Sequence, residues 1–202
     1  MVLPSTYCDY MEKTQNTTNL QMAKSLEERQ LLTDGLYKIK NFLPEQDLTI
    51  LQDFLKTTDK WNLYRDGGLQ KNRYAIYPSD NEWLYTLTDS FIKLTPQIKH
   101  IFKKPRLYFG GITIWQDRHK YYIQKHTDNP VIEIAIQLYL TENTPDLPTT
   151  FVVEDQEIKP DYQINAGYVM DNSKQIYHYM WPPIPAGQVR NSLYAFWKVS
   201  QE

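Results

Sequence analysis

Cysteine is almost missing from this chain. Its 202 residues include a single one, Cys8, so no internal disulfide can form. That fits a reducing compartment, and a cytoplasmic location is the expectation. Positive charge is not in excess either. Twenty-two Lys and Arg against 24 Asp and Glu give a net charge of −2, which is no footprint for duplex nucleic acid. The same balance is far from that of an acidic disordered chain. No apolar run approaches the length of a membrane-spanning helix. The opening "MVLPSTYCDY" has neither the basic flank nor the apolar stretch of a secretory signal. There is no internal repeat and no low-complexity segment. What remains is a chain long enough to bury roughly 70% of its unfolded surface and so to build a real core.

Residues 1–34 are rich in Asn, Thr and Gln and read as a polar arm, with one short helix at "SLEERQLL". A single domain is expected over 35–202, opening at "GLYKIKNFL", where "LYKIKNF" alternates like a strand. Pro44, Glu45 and Asp47 suit a helix start, and Leu48, Leu51 and Leu55 follow at helical spacing. "RDGG" at Arg65–Gly68 reads as a hairpin tip. Residues 81–103 read as helix, with Pro96 ending or kinking it. After Pro105 the character changes to short β-branched and aromatic segments separated by turn residues. Sixteen tyrosines and five tryptophans support strands there. Helices first and about eight strands after predict an α+β, mainly β domain, a sandwich or barrel backed by helices.

Chemistry-bearing residues are few. Of four histidines, His126 stands two residues before Asp128 in "QKHTDNP", and alternate positions of a strand share a face. Alone, the pair is equally an ordinary surface pair. His178 lies about fifty residues downstream in "QIYHYMWPP", where a lone histidine is more often packed or hydrogen-bonded. Together, two imidazoles and a carboxylate are the ligand set suited to iron(II), holding one face of an octahedron and leaving the other open. Zinc more often takes a closed tetrahedral site. In "GQVRNSLYAFW", Arg190 and Ser192 share one strand face, and Leu193, Ala195 and Trp197 take the other. An inward arginine is either a structural ion pair or a fork for a small dicarboxylate. His119 sits in the charged turn "DRHKYY", and His100 ends a helical stretch; both read as structural.

The order His-x-Asp, distal His, then Arg-x-Ser resembles the iron(II)/2-oxoglutarate-dependent dioxygenases, and within them the prolyl 4-hydroxylase-like branch. The matching stretches are "YIQKHTDNP", "LYLTEN", "TTF", "AGYVMD", "YHYM" and "GQVRNSLYAFW", spread over about residues 105–199. The resemblance implies a double-stranded β-helix (a cupin-like jelly roll) with N-terminal helices packed on one sheet. It implies iron(II) on His126, Asp128 and His178. Arg190 would take the distal carboxylate of 2-oxoglutarate, with Ser192 assisting. Dioxygen would be the co-reactant and ascorbate a candidate auxiliary reductant. Many members place a tyrosine against that carboxylate. The match to "LYL" puts Leu138 at the inward position, with Tyr139 beside it, and Tyr122 and Tyr108 are other candidate hydroxyls. The implied reaction is C–H hydroxylation coupled to decarboxylation of 2-oxoglutarate, on a prolyl residue of a peptide or protein. Alternatives are a free amino acid or small metabolite as substrate, a nucleic-acid demethylase, or a jelly-roll binding protein without catalysis. The demethylase branch carries a second arginine where this chain has Phe196.

Overall fold

In the computed structural model the described residues are 5–64, 72–141, 149–160 and 162–200, with side chains from residue 16 onward. In chain order the elements are α1 (Ser5–Glu27), β1 (Gln30–Thr33), β2 (Leu36–Ile39), α2 (Glu45–Thr57), β3 (Asn62–Leu63), β4 (Arg73–Ile76), α3 (Glu82–Lys93), α4 (Thr95–Phe102), β5 (Leu107–Asp117), β6 (Ile123–His126), β7 (Ile134–Tyr139), β8 (Thr150–Val153), β9 (Gln156–Ile158), β10 (Gly167–Asp171), β11 (Tyr177–Met180) and β12 (Arg190–Val199). The expected break in the second helical stretch falls at Leu94, which places Pro96 in the first turn of α4, where its missing N–H costs nothing. The tip expected at Arg65–Gly68 lies outside the described residues.

The strands form two antiparallel sheets. The larger runs β1-β2-β10-β7-β12-β5-β4-β3 and the smaller β6-β11-β8-β9. This is a mainly β, open two-sheet jelly roll with helices on the outer face of the larger sheet.

Alternation along β12 explains the layering. Leu193, Ala195 and Trp197 point to the helices and join a core with Leu84 and Phe91 of α3 and Ile98 of α4. Trp197 is fully buried, and its indole N–H donates to Thr95 Oγ1 at 3.0 Å, tying the strand to the start of α4. A second apolar cluster lies between the sheets and includes Tyr139, Phe151, Tyr168 and Met170. Pairing of β10 with β7 depends on Gly167, because a Cβ there would stand 1.8 Å from the Gln137 carbonyl oxygen.

The N-terminal stretch departs from the polar-arm expectation. It is helical over Ser5–Glu27 rather than only at "SLEERQLL", and "QLLT" pairs as β1 with β2. Met22 and Leu26 are fully buried in the helix-side core. Spaced i and i+4, they form an apolar stripe that docks this part of the helix, with Ala23 packed beside them. Polar contacts help: Ser25 Oγ donates to the Lys40 carbonyl at 2.7 Å, and Gln97 Nε2 donates to the Ala23 carbonyl at 3.0 Å. If this docking is part of the core, Leu26→Ala lowers unfolding free energy by about 2–5 kcal/mol in a denaturant titration. A loosely attached arm would give no change.

Candidate functional site

β6 and β11 lie side by side in the smaller sheet, with His126 directly opposite His178. The rings sit 4.4 Å apart, centroid to centroid. Strand β6 ends at His126, so Asp128 belongs to the turn that follows rather than to the strand itself. Its carboxylate nevertheless comes back to the pair: Oδ1 is 3.4 Å from His178 Nε2 and 3.9 Å from His126 Nε2. One ligand atom from each of the three residues lies within 4.8 Å of the others.

Each imidazole is oriented by the backbone. His126 Nδ1 donates to the Gln124 carbonyl at 2.8 Å, and His178 Nδ1 donates to the Ile176 carbonyl at 3.3 Å. A carbonyl can only accept, so each Nδ1 carries a proton and Nε2 is the nitrogen turned toward Asp128. Burial, followed by the neighbouring His178, lowers the pKa of His126. Burial alone would raise Asp128, but the hydrogen bond and charge of His178, with His126 and Tyr194 adding to them, hold it below the usual carboxylate range. Neutral imidazoles and an ionised carboxylate are the protonation states a metal ion needs. Tyr194 Oη donates to Asp128 Oδ2 at 3.2 Å, leaving Oδ1 turned to the histidines.

The three groups face a cavity of about 330 Å³ whose wall includes Arg73, Trp115, Gln137, Tyr168 and Tyr194. In the larger sheet Arg73, Asp117 and Arg190 stand in one row across β4, β5 and β12. Arg73 grips Asp117 with two bonds, Nε to Oδ1 at 2.6 Å and Nη2 to Oδ2 at 3.0 Å. Arg190 Nε donates to the same Oδ2 at 3.1 Å. Arg190 and Asp117 are fully buried. Burial works against both guanidinium charges, and Asp117 outweighs it, so both pKa values stay above the usual arginine value. These three side chains hold two cations to one anion. Nearby, Ser192 Oγ and Gln137 Nε2 are buried with no hydrogen-bond partner among the described residues. Unsatisfied buried donors of this kind fit a polar ligand seated among them.

The other sequence candidates separate. Tyr139 is fully buried in the cluster between the sheets, whereas Leu138 packs on the helix side. That reverses the inward position assigned to Leu138. All six residues of β7 are buried, so polarity along the strand gives no clue to its faces. Tyr139 Oη accepts from the Thr149 N–H at 3.2 Å, and its ring lies 5.9 Å from Arg190 Cζ. Tyr122 is 39% exposed and borders a groove on the outer face of the smaller sheet. Its ring meets Trp181 edge-on rather than the cavity. Tyr108 is exposed near the start of β5. His119 Nδ1 lies 3.2 Å from the Ile184 carbonyl, and His100 is exposed on α4. Sequence reasoning missed Arg73, Asp117, Gln137, Tyr168 and Tyr194. Tyr194 alone left a signal, since it continues the Arg190, Ser192 face of β12.

No protein-family model matches the chain, and no curated protein sequence matches it. Solved structures do. A prolyl-4-hydroxylase from Pseudomonas putida superposes with a TM-score of 0.70 at 16% identity, over 89% of this chain and 100% of that one. A prolyl hydroxylase from Trichoplax adhaerens, in complex with a hypoxia inducible factor oxygen degradation domain peptide fragment, gives 0.65 at 14% identity, over 94% and 92%. HygX from Streptomyces hygroscopicus, with nickel, 2-oxoglutarate and hygromycin B bound, gives 0.62 at 9% identity, over 82% and 83%. The shared property at these identities is the fold.

Because Tyr194 holds the oxygen of Asp128 that turns away from the histidines, Tyr194→Phe lowers affinity for a divalent metal about 10–100-fold. Ser192→Ala, made on the same strand face, leaves it unchanged. Calorimetric titration with manganese(II) distinguishes the two.

Proposed function

We propose that this chain is an iron(II)- and 2-oxoglutarate-dependent hydroxylase. The observation that carries the reading is the convergence of His126 Nε2, His178 Nε2 and Asp128 Oδ1 on one point at the edge of a cavity. Two nitrogens and one oxygen on one side, with open space on the other, fit iron(II) in octahedral coordination better than a closed zinc site. Arg73, the member of the arginine-rich row that lines the same cavity, gives it the character expected where a second carboxylate of a bound oxo acid is held. A divalent cation beside Asp128 leaves one positive charge, the Arg73–Asp117–Arg190 group leaves another, and a dicarboxylate dianion matches both.

In this reading His126, His178 and Asp128 hold the metal, and the backbone carbonyls of Gln124 and Ile176 keep the imidazoles in the ligating tautomer. Arg190 and Ser192 belong to the subsite for the distal carboxylate, and Tyr139, at the back of the same interior, helps to fix Arg190. Bound iron(II) and 2-oxoglutarate supply the chemistry: dioxygen is reduced as the oxo acid is decarboxylated, and a C–H bond of the substrate is hydroxylated. The chain's own part is to bind, orient and keep water out. Phe151, Tyr168 and Met170 close the space between the sheets on the side away from solvent.

The substrate we favour is a prolyl residue in a peptide or protein. Two of the structures with this fold are prolyl hydroxylases, one of them with a peptide bound. Tyr64 and Trp115, edge to face at 4.7 Å, give the cavity an aromatic wall suited to a saturated ring. A small-molecule substrate is the second reading, favoured by the likeness in fold to a protein with hygromycin B bound.

Loading the protein with manganese(II) and adding 2-oxoglutarate at about 100 times its dissociation constant adds about 2.7 kcal/mol of stability. For a chain of this size that raises the melting temperature by roughly 5–10 °C. No shift contradicts the cosubstrate assignment. With iron(II), succinate release stimulated by proline-containing peptides and not by free amino acids supports the favoured substrate, and the converse supports the second.

A further inference from the structure

We infer that the outer face of the smaller sheet is a self-complementary surface on which a second copy of this chain docks, related by a two-fold axis parallel to the strands. The inference is independent of the reaction proposed above.

Exposed rings mark the surface. Along β11 and the residue after it, Tyr177, Tyr179 and Trp181 alternate with the buried His178 and Met180, so one face of the strand turns inward and the other outward. Trp181 is 60% exposed, the one exposed tryptophan of five, and Tyr177 is 50% exposed. The ring of Tyr122 stands edge-on to Trp181 at 5.8 Å. Tyr122, Val152, Tyr179 and Trp181 line a groove of about 870 Å³. Single exposed rings are ordinary, but a cluster of them on one sheet face marks an interaction site.

Charge is divided across this face. Lys120 and Lys125 border the groove on the β6 side, and Asp155 and Glu157 border it on the β9 side. Glu154, next to Asp155, adds to the acidic flank, and Lys159, 4.0 Å from Glu157 Oε2, offsets part of it. Tyr179 Oη donates to Glu157 Oε1 at 2.5 Å, which fixes that carboxylate beside the rings. The acidic flank is unsuited to nucleic acid. With one basic and one acidic flank, the face carries both halves of its own complement.

Strand order shows how the halves meet. The sheet runs β6-β11-β8-β9. A two-fold axis parallel to the strands, above the gap between β11 and β8, sets β6 of one copy over β9 of the other and β11 over β8. Rotation about it keeps the level along the strands. Glu157 is opposite Val152, and Val152 is opposite Tyr177. Lys125 Nζ lies 5.4 Å from the centre of the Tyr177 ring. Lys125 and Glu157 therefore stand at nearly one level, and the axis brings Lys125 of each copy to Glu157 of the other, with the β11 rings against Val152 between them. An axis across the strands would set like charges together. A contact of this isologous kind closes at two copies.

The test is sedimentation equilibrium of the full chain at low ionic strength. Wild type sediments at twice the 24.1 kDa of one chain. Lys125→Glu and Glu157→Lys, each alone, raise the dimer dissociation constant at least about tenfold, because each sets two like-charge pairs across the axis. Mixed in equal amounts, the two variants dimerise with wild-type affinity, since every pair is again of opposite sign. Trp181→Ala weakens the dimer about tenfold or more and serves where a charge variant does not fold, as judged by its melting transition. Monomeric wild type overturns the inference, and binding of a labelled decaproline that Trp181→Ala abolishes would then give the face to a peptide. A dimer indifferent to these substitutions, or variants that stay monomeric when mixed, overturns it as well.

Discussion

Two buried guanidiniums converge on one carboxylate in the larger sheet, and the rest of the site is arranged in relation to that group. Arg73, Asp117 and Arg190 occupy neighbouring strands at one level; Asp117 and Arg190 are fully buried and Arg73 is nearly so. Desolvating charged groups is costly, and a buried ion group lasts only where geometry and hydrogen bonding compensate. Here the compensation comes from Asp117, which bonds to both arginines, and from the rings of Trp115 and Tyr121 beneath Arg73. Three charged side chains facing the interior of a jelly roll add less to stability than apolar residues of the same volume would. Their chemistry suits an anion instead.

The two sheets divide the work. The smaller supplies His126 and His178 from paired strands, so their separation is set by a backbone ladder rather than by flexible side chains. The larger supplies the polar wall: Arg73 from β4, Gln137 from β7, Tyr168 from β10 and Tyr194 from β12, with Arg190 and Ser192 fully buried on the same face of β12 as Tyr194. Tyr194 bridges the layers through its bond to Asp128. Leu193, Ala195 and Trp197 on the opposite face of β12 anchor that strand to the helices. The strand that presents the polar row is thus among the most firmly held, which favours a preorganised site.

Much of this was legible in the sequence, for local reasons. His126, Asp128, His178 and Arg190 stand in short strand-like stretches, and the alternation of β12 separated its polar face from its apolar one before any coordinates. The jelly roll with helices on one sheet was likewise expected. Lateral neighbourhood was not legible. Arg73 lies beside Asp117 because β4 pairs with β5, a relation between strands 44 positions apart in sequence that leaves no periodic trace. The faces of β7 were hidden because both are buried, and so Tyr139 and Leu138 were exchanged. Helix α1 was hidden because Met22 and Leu26, fully buried among its described side chains, stand among Asn, Gln and Thr. Tyr122 read as a candidate hydroxyl because it precedes the His-x-Asp stretch, but its side chain goes to the outer face of the smaller sheet.

In the proposed reading one cavity is lined both by the metal-ligand candidates His126, Asp128 and His178 and by Arg73 of the arginine-rich row, and that has a thermodynamic consequence. A dicarboxylate that spans the two is held by both, so metal and 2-oxoglutarate each raise the other's affinity by the same factor. The most direct measurement is a pair of calorimetric titrations: 2-oxoglutarate into the protein with and without manganese(II), and manganese(II) with and without 2-oxoglutarate. The account predicts reciprocal strengthening within about the 5–150-fold range of such couplings. Equal affinities in the presence and absence of the other component would contradict it.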